Sequence, residues 1–166
     1  MQSPIDSLIV TTEEREWLDL AVELAVCNIG AGGGPFGAVV VSDGAVVGQG
    51  GNRVTALRDP TAHAEIVAIR AACRMVGDFR LDGAVLLSSC EPCPMCLTAA
   101  LWARIDRVLY AADRYDAAEA GFDDLRFYEL LDRPSAQWDM PVTRLPSEGA
   151  DRPFHTWSNQ SDRIPY

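Results

Sequence analysis

Two short motifs in this sequence combine residue types that bind metal ions and move protons. The first is His63-Ala64-Glu65, and the second, thirty residues further on, is Cys93-Pro94-Met95-Cys96. One imidazole and two thiolates supply three of the four positions of tetrahedral zinc and leave the fourth for a water molecule, an arrangement typical of catalytic sites. The spacing therefore predicts zinc ligands at His63, Cys93 and Cys96.

Glu65 is the residue that indicates what such a metal would do. It stands two positions from the histidine, where it cannot sensibly bind the same ion but can hydrogen-bond to the ion's water. Zinc lowers the pKa of its water to about 7, so hydroxide would be available to attack a ring carbon that bears an amine. With Pro92 ahead of Cys93, the pattern resembles the H-x-E and P-C-x-x-C signature of zinc deaminases. We expect Glu65 to shuttle protons in this reaction.

The remaining cysteines leave one alternative open. Cys90 could join the three predicted ligands in a closed structural zinc site, and the protein would then be a zinc-stabilised interaction module. Against this, Cys90 is expected at the end of a strand, whereas the other two thiols begin a helix. Cys27 and Cys73 fall in predicted helices and are most simply small core residues. An odd total of five cysteines argues against a disulfide framework.

The composition of the chain indicates which kinds of molecule the protein binds. The chain has 166 residues and a formal net charge of −10, which repels phosphate backbones and anionic lipid. No run of about 18 apolar residues appears, and residues 1–10 lack the basic start of a signal peptide. We expect a cytoplasmic protein with a small neutral or cationic ligand, and no nucleic-acid or membrane partner.

The elements that must position these motifs alternate between helix and strand periodicity. Thr11 and Glu14 predict a capping box at the start of a helix that ends at the glycines at 30 and 32–34. Asp59-Pro60-Thr61 predicts the cap and first turn of a second helix, which ends at Gly77. Strands are predicted at 36–42, 45–50, 84–88 and 107–112, and further helices at 94–103 and near 124–132. The order αββαβαβ predicts an α/β sandwich with helices on both faces of a mixed sheet.

Several longer stretches resemble a known family. Beyond the zinc motifs, these are GGPFGAVVV, NRVT followed by DPTAHAE, SCEPCPMCL, AAEAGFDD, and a tail with PF..W that ends in tyrosine. The chain resembles the cytidine-deaminase-like superfamily and, within it, the small bacterial guanine deaminases, over nearly its whole length. The resemblance implies a three-layer α/β/α sandwich with a central mixed five-stranded sheet, formed by residues 1–166 as a single domain.

The resemblance also implies a function and a set of residues. The reaction would be zinc-dependent hydrolysis of guanine to xanthine and ammonia, in a homodimer that swaps residues 151–166. Asn52 would hydrogen-bond to the purine, Phe36 and Trp102 would line its faces, and Asp124 would accept from its N–H groups and take part in catalysis. Ala64 would contact the substrate. Tyr166 would close the pocket of the neighbouring subunit, excluding water.

Other substrates remain open at this point. Guanosine, isocytosine-like pyrimidines and amino-triazines such as ammeline share the aminated ring carbon. Adenosine in transfer RNA is a further candidate within the superfamily, although the charge of −10 argues against it. Arg58 and Thr98 depart from the family pattern and could shift which aminated ring is preferred.

Overall fold

Residues 10–166 are described by the structure, a computed structural model. They divide into two compact units, one extending to Tyr128 and the other spanning Glu129–Tyr166. Both zinc motifs lie in the first unit. Within residues 10–166, none of the helices is long and apolar enough to cross a membrane.

The sheet of the first unit has four strands: β1 (Gly37–Ser42), β2 (Ala45–Gly51), β3 (Val85–Cys90) and β4 (Arg107–Ala112). Their order is β2-β1-β3-β4, with β1 antiparallel to both neighbours and β3 parallel to β4. The mixed sheet is confirmed, but the expectation of five strands is wrong for residues 10–166. After β4 the chain enters short helices, and the segment beyond is interrupted by prolines, which cannot donate in a ladder.

Helix α1 (Thr12–Gly30) begins where the capping box predicted. The Glu14 N–H donates to Thr11 Oγ1 at 3.1 Å, and the Thr11 N–H donates to Glu14 Oε2 at 2.8 Å. The Glu14 carboxylate also accepts from Arg107 of β4 at 2.8 Å. This reciprocal cap satisfies two N–H groups that a helix start would otherwise leave unpaired, so the start of α1 is fixed locally and tied to the sheet.

The two faces of the sheet carry separate apolar clusters. Alternate side chains of a strand point to opposite faces, and β1 follows this rule with Val39 and Val41 packing near Ala21 of α1. Ala38 and Val40 belong to the other cluster, with α3 (Ala64–Val76) and α4 (Pro94–Trp102). The three-layer α/β/α arrangement is therefore confirmed.

Helix α3 lies unusually close to β2 because glycines face it. A Cβ atom added at Gly48 would lie 2.3 Å from the carbonyl oxygen of Ala68 and 2.7 Å from the Ala72 nitrogen. At Gly50, the nearest atoms would be those of Val67, also at 2.7 Å. Only residues without a Cβ allow this approach, which sets the depth at which the start of α3 meets the sheet.

The predicted start of this second helix is wrong. His63 is its N-cap, and the preceding residues form a turn in which Asp59 Oδ1 accepts from the Thr61 N–H at 2.8 Å and from its hydroxyl at 2.7 Å. An aspartate that bonds two residues ahead makes such a turn as readily as a helix cap. His63 is consequently placed at the helix mouth rather than in its first turn.

Four short helices complete the described chain: α2 (Val54–Leu57), α5 (Arg114–Glu119), α6 (Asp124–Leu131) and α7 (Arg152–Ser158). Helix α6 was predicted, whereas α2, α5 and α7 were not. A single 3₁₀ turn spans Ser135–Gln137. In the second unit, Glu129–Tyr166, no residue is buried.

Candidate metal centre and pocket

The three predicted zinc ligands converge. His63 and Cys93 are the N-caps of α3 and α4, and Cys96 lies in the first turn of α4. Their ligand atoms all lie within 4.8 Å of one another, with Cys93 Sγ 3.7 Å from His63 Nδ1 and 3.6 Å from Cys96 Sγ. Tetrahedral zinc bonds require about 3.6 Å between nitrogen and sulfur and about 3.8 Å between sulfurs. The donor set therefore fits zinc.

Protonation of the metal-free triad follows from its contacts. Hydrogen bonds from Cys96, and then from His63, hold the pKa of Cys93 well below its usual range. The pKa of Cys96 is raised because its proton is held against the Cys93 sulfur, and the pKa of His63 is raised by its hydrogen bond to Cys93. Both shifts favour a proton on Cys96 and on His63, and metal binding requires these ligands to release their protons.

Glu65 lies beside the triad in the first turn of α3. It is 6% exposed, and its Oε1 accepts from the Ser88 hydroxyl at 3.4 Å. Burial is the main cause that raises the pKa of this carboxyl. A carboxyl group with a raised pKa takes up a proton more readily than an exposed one, which is the direction that the predicted shuttle needs.

A cavity of about 400 Å³ opens over His63 and Glu65. Three further predicted residues line it, namely Phe36, Asn52 and Asp124. All of these residues belong to the first unit, within the part of the chain up to Tyr128. Residues widely separated in sequence are therefore brought to one concave surface.

Asn52 is held from two directions at the end of β2. Its side-chain Oδ1 accepts from the Val54 N–H at 3.2 Å, and its main-chain oxygen accepts from Asn28 Nδ2 at 2.8 Å. Asn28 Nδ2 also donates to the Gly34 carbonyl at 2.8 Å. The Asn28 side chain of α1 thus links Gly34, in the loop that follows α1, to Asn52 at the end of β2. Nothing in the sequence around Asn28 indicates this role.

Aromatic and acidic groups complete the pocket. The ring of Phe36 meets the ring of Phe122 edge to face, with centroids 4.7 Å apart and an interplanar angle of 79°. Phe122 also lines the cavity, and its only sequence signal was its place in the AAEAGFDD stretch. Asp124 is half-buried at the start of α6, and its pKa is raised by burial first and by the Cys93 thiolate second.

Three predicted substrate residues are not among those that line this cavity. Ala64 is fully buried between His63 and Glu65. Trp102 ends α4 and is 56% exposed. Tyr166 belongs to the second unit and is 74% exposed. The roles of these three residues stay predictions.

Cys90 lies outside the group of potential metal ligands, and the two departures from the family pattern make local contacts. The Cys90 thiol contacts the Asp113 carbonyl at 3.5 Å, and within residues 10–166 it does not belong to the metal-binding group. Burial raises its pKa to about 11. Arg58 ends α2 with left-handed backbone, and the Thr98 hydroxyl donates to the Pro94 carbonyl at 2.8 Å. The geometry thus favours the open site over the closed one.

Comparison with known proteins agrees with this site. The sequence model described as "Cytidine and deoxycytidylate deaminase zinc-binding region" matches residues 11–112. Guanine deaminase of Bacillus subtilis is 48% identical over 151 residues, which are 90% of this chain and 97% of that protein. A tRNA-specific adenosine deaminase of Agrobacterium fabrum is 48% identical over 96 residues, 57% of this chain and 61% of that protein.

A solved structure extends the similarity to the fold. The X-ray structure of guanine deaminase from Bacillus subtilis superposes with a TM-score of 0.88, covering 92% of this chain and 98% of that one. Together with the zinc-type ligand triad, the matched region shows the family: the chain belongs to the family defined by the cytidine and deoxycytidylate deaminase zinc-binding region.

Proposed function

We propose that this protein hydrolyses guanine to xanthine and ammonia. The observation that carries the proposal is one cavity lined by His63 and Glu65 together with Phe36, Asn52 and Asp124. The ligand atoms of Cys93 and Cys96 lie within 4.8 Å of that of His63. A flat base with polar edges needs stacking surfaces and a few placed donors and acceptors, and these side chains supply them. The similarity to the Bacillus subtilis guanine deaminase supports guanine as the base.

The chemistry divides between the metal and one carboxyl group. His63, Cys93 and Cys96 would hold the zinc, which would supply an activated water nucleophile near neutral pH. Glu65 takes the proton of the attacking water on its carboxylate and passes a proton to the ring nitrogen next to the amine-bearing carbon. It then takes the second proton from the hydroxyl group now attached to that carbon and delivers it to the amine, which leaves as ammonia as the carbon–nitrogen bond breaks. The carbon gains one oxygen and loses one nitrogen, so guanine and water become xanthine and ammonia.

The other cavity residues orient the base. Because Asn52 Oδ1 is engaged by Val54, the Asn52 amide nitrogen is the group that would donate to the guanine carbonyl. Phe36, braced by Phe122, packs against the ring, and Asp124 accepts from the amino or ring N–H groups and assists proton transfer. The backbone of Ala64 and the ring of Trp102 complete the contacts that the resemblance implies.

The protein would work as a cytoplasmic homodimer in which residues 151–166 of one copy pack on the other. Support comes from the second unit, where apolar side chains are largely exposed: Leu145 is 87% exposed, and Phe154 and Ile164 are 72% and 67% exposed. Such surface is stabilised when another surface covers it. Tyr166 would then close the partner's cavity and exclude water from the reaction.

A tRNA substrate is the main competitor, because several relatives are tRNA-specific adenosine deaminases. An enzyme of this kind needs clustered basic residues for phosphate contacts. The chain has 14 basic and 24 acidic residues. The charge balance therefore favours a free base.

The substrate is tested by offering the zinc-loaded protein a panel under identical conditions. The panel contains guanine, guanosine, adenine, isocytosine, ammeline and a tRNA anticodon stem-loop, and ammonia release is measured for each. We expect guanine to have the highest kcat/KM. Faster deamination of the stem-loop, or of any other panel member, would reassign the substrate and leave the zinc chemistry in place.

A further inference from the structure

The turn that carries Cys93 is held by a closed ring of contacts that the proposed chemistry does not use. Its members are Glu91 and Pro92 of the β3–α4 turn, Arg114 of α5 and Tyr128 of α6. All four belong to the first unit. Each contact joins residues at least 14 positions apart in the chain, so the ring is tertiary.

Arg114 forms the strongest link. Its Nη2 lies 2.5 Å from Glu91 Oε1 and its Nε lies 2.9 Å from Glu91 Oε2, while its backbone N–H donates to the same Oε2 at 3.1 Å. Both side chains are largely shielded, with 25% and 13% of the side chain exposed. A guanidinium group paired to both oxygens of a carboxylate fixes direction as well as distance.

Tyr128 closes the ring. The guanidinium carbon of Arg114 lies 3.3 Å from the centroid of the Tyr128 ring, and the Tyr128 hydroxyl donates to the Pro92 carbonyl at 2.6 Å. The cation and the aromatic face attract each other electrostatically. The Arg114 side chain therefore contacts both the Glu91 carboxylate of the β3–α4 turn and the Tyr128 ring of α6.

The ring joins the two sides of the cavity. Pro92 immediately precedes the ligand Cys93, and Tyr128 lies one helical turn after Asp124 on α6. Residues four apart in a helix lie on one face, so a displacement of Tyr128 also displaces Asp124. The ring consequently holds the metal ligand Cys93 and the predicted substrate residue Asp124 at a fixed distance from each other.

From this geometry we propose that Arg114 is a positioning residue that sets Asp124 relative to Cys93, with Glu91 and Tyr128 as its two anchors. The part of the inference that concerns substrate binding rests on the proposed deamination of guanine. The part that concerns zinc retention depends only on the ligand triad. Arg114 touches neither the metal ligands nor the substrate and acts through the ring.

The test is a double-variant cycle with two readouts. The variants are Arg114→Lys, which keeps the charge but loses the planar fork, Tyr128→Phe, which removes a single oxygen, and their combination. Arg80→Lys is the matched control, because Arg80 pairs through two nitrogens with Asp82 on an exposed surface. The readouts are kcat and KM for guanine and the rate at which zinc passes to a colorimetric chelator.

We expect Arg114→Lys to raise KM and to accelerate zinc loss, each by about tenfold. Tyr128→Phe should do the same by a smaller factor, and the double variant should be no worse than Arg114→Lys, because both changes open one ring. The control should leave both readouts unchanged. Should Arg114→Lys not fold, Tyr128→Phe alone carries the test.

Two results would overturn the proposal. One is multiplicative effects of the two changes, which would mean that they act independently. The other is wild-type KM and wild-type zinc loss in both single variants. Absence of guanine turnover in the wild-type protein would refute the proposed function instead, and the zinc-loss readout would still decide the role of the ring.

Discussion

At the scale of single residues, Cys93 has the most unusual environment in the molecule. It is buried at the N-terminus of α4, with a second thiol and an imidazole each within 4 Å of its sulfur. A helix N-terminus and neighbouring donors both stabilise a thiolate. The Cys93 thiolate is thus stabilised even without a bound cation.

Thiol labelling provides a prediction for this site. In protein stripped of zinc, we expect iodoacetamide to modify Cys93 even at pH 6, because its lowered pKa keeps the reactive thiolate present. Cys90 should react appreciably only as the pH approaches about 11, since burial raises its pKa to that value. Labelling is located by peptide mass spectrometry.

Zinc-loaded protein serves as the control for the labelling experiment. Binding should protect Cys93 while leaving the exposed Cys27 available. Equal labelling of Cys93 with and without zinc would contradict its assignment as a ligand. Protection of Cys90 by zinc would revive the closed site.

Local motifs predict that His63, Cys93 and Cys96 come together and that Glu65 lies beside His63, and the structure brings them together. Each motif spans at most four residues, so its pattern is visible in the sequence alone. Asn28 and Arg114 could not be predicted in this way. Asn28 contacts Asn52 across 24 positions, and Arg114 contacts Glu91 across 23. Their importance depends on the sheet that brings distant segments together, which single-sequence patterns do not report.

At the scale of elements, the depth of α3 against β2 determines where His63 and Glu65 lie. The glycines of β2 permit backbone-to-backbone contact that any side chain would prevent. A helix held this closely cannot shift without moving the residues at its start.

Gly48→Ala should destabilise the fold by about 1–3 kcal/mol and lower activity, because the added methyl group meets the carbonyl of Ala68. Gly30→Ala is the control, since a Cβ there meets nothing within 4 Å and the residue ends α1. Urea unfolding measures both. Equal stability of the two variants would show that α3 can retreat from the sheet at little cost.

The sequence predicts helices and strands correctly where hydrophobic periodicity and capping residues agree. It fails where one residue type is compatible with two local structures. The capping box at Thr11 and the four strands were correctly predicted. The sequence pattern at Asp59 predicts a helix cap, but Asp59 makes a turn, because an aspartate side chain satisfies either geometry. Helix α7 was missed because the prolines around it indicated a loop.

At the scale of the whole molecule, the net charge of −10 and the exposed apolar side chains of the C-terminal unit support the proposed small substrate and the proposed homodimer. Mixing two inactive variants tests the proposed sharing of residues 151–166. Co-refolded Glu65→Gln and Tyr166→Ala chains should recover about a quarter of wild-type activity, because half of randomly paired dimers would contain one intact site.

The same mixture distinguishes the alternative in which each chain completes its own site. Every chain would then carry its own defect, and the mixture would stay as inactive as its components. Sedimentation of the wild-type protein provides the control, since only a dimer allows complementation. A monomeric protein with full activity would also contradict the sharing of residues 151–166.

The central claim is that Glu65 moves protons for a hydrolysis at a zinc site built from His63, Cys93 and Cys96. Its most direct test is ammonia release from guanine by wild-type protein and by Glu65→Gln, both loaded to equal zinc content. We predict that the substitution lowers kcat by about a hundredfold to ten-thousandfold with zinc retained. Wild-type turnover by the zinc-loaded variant would contradict the account.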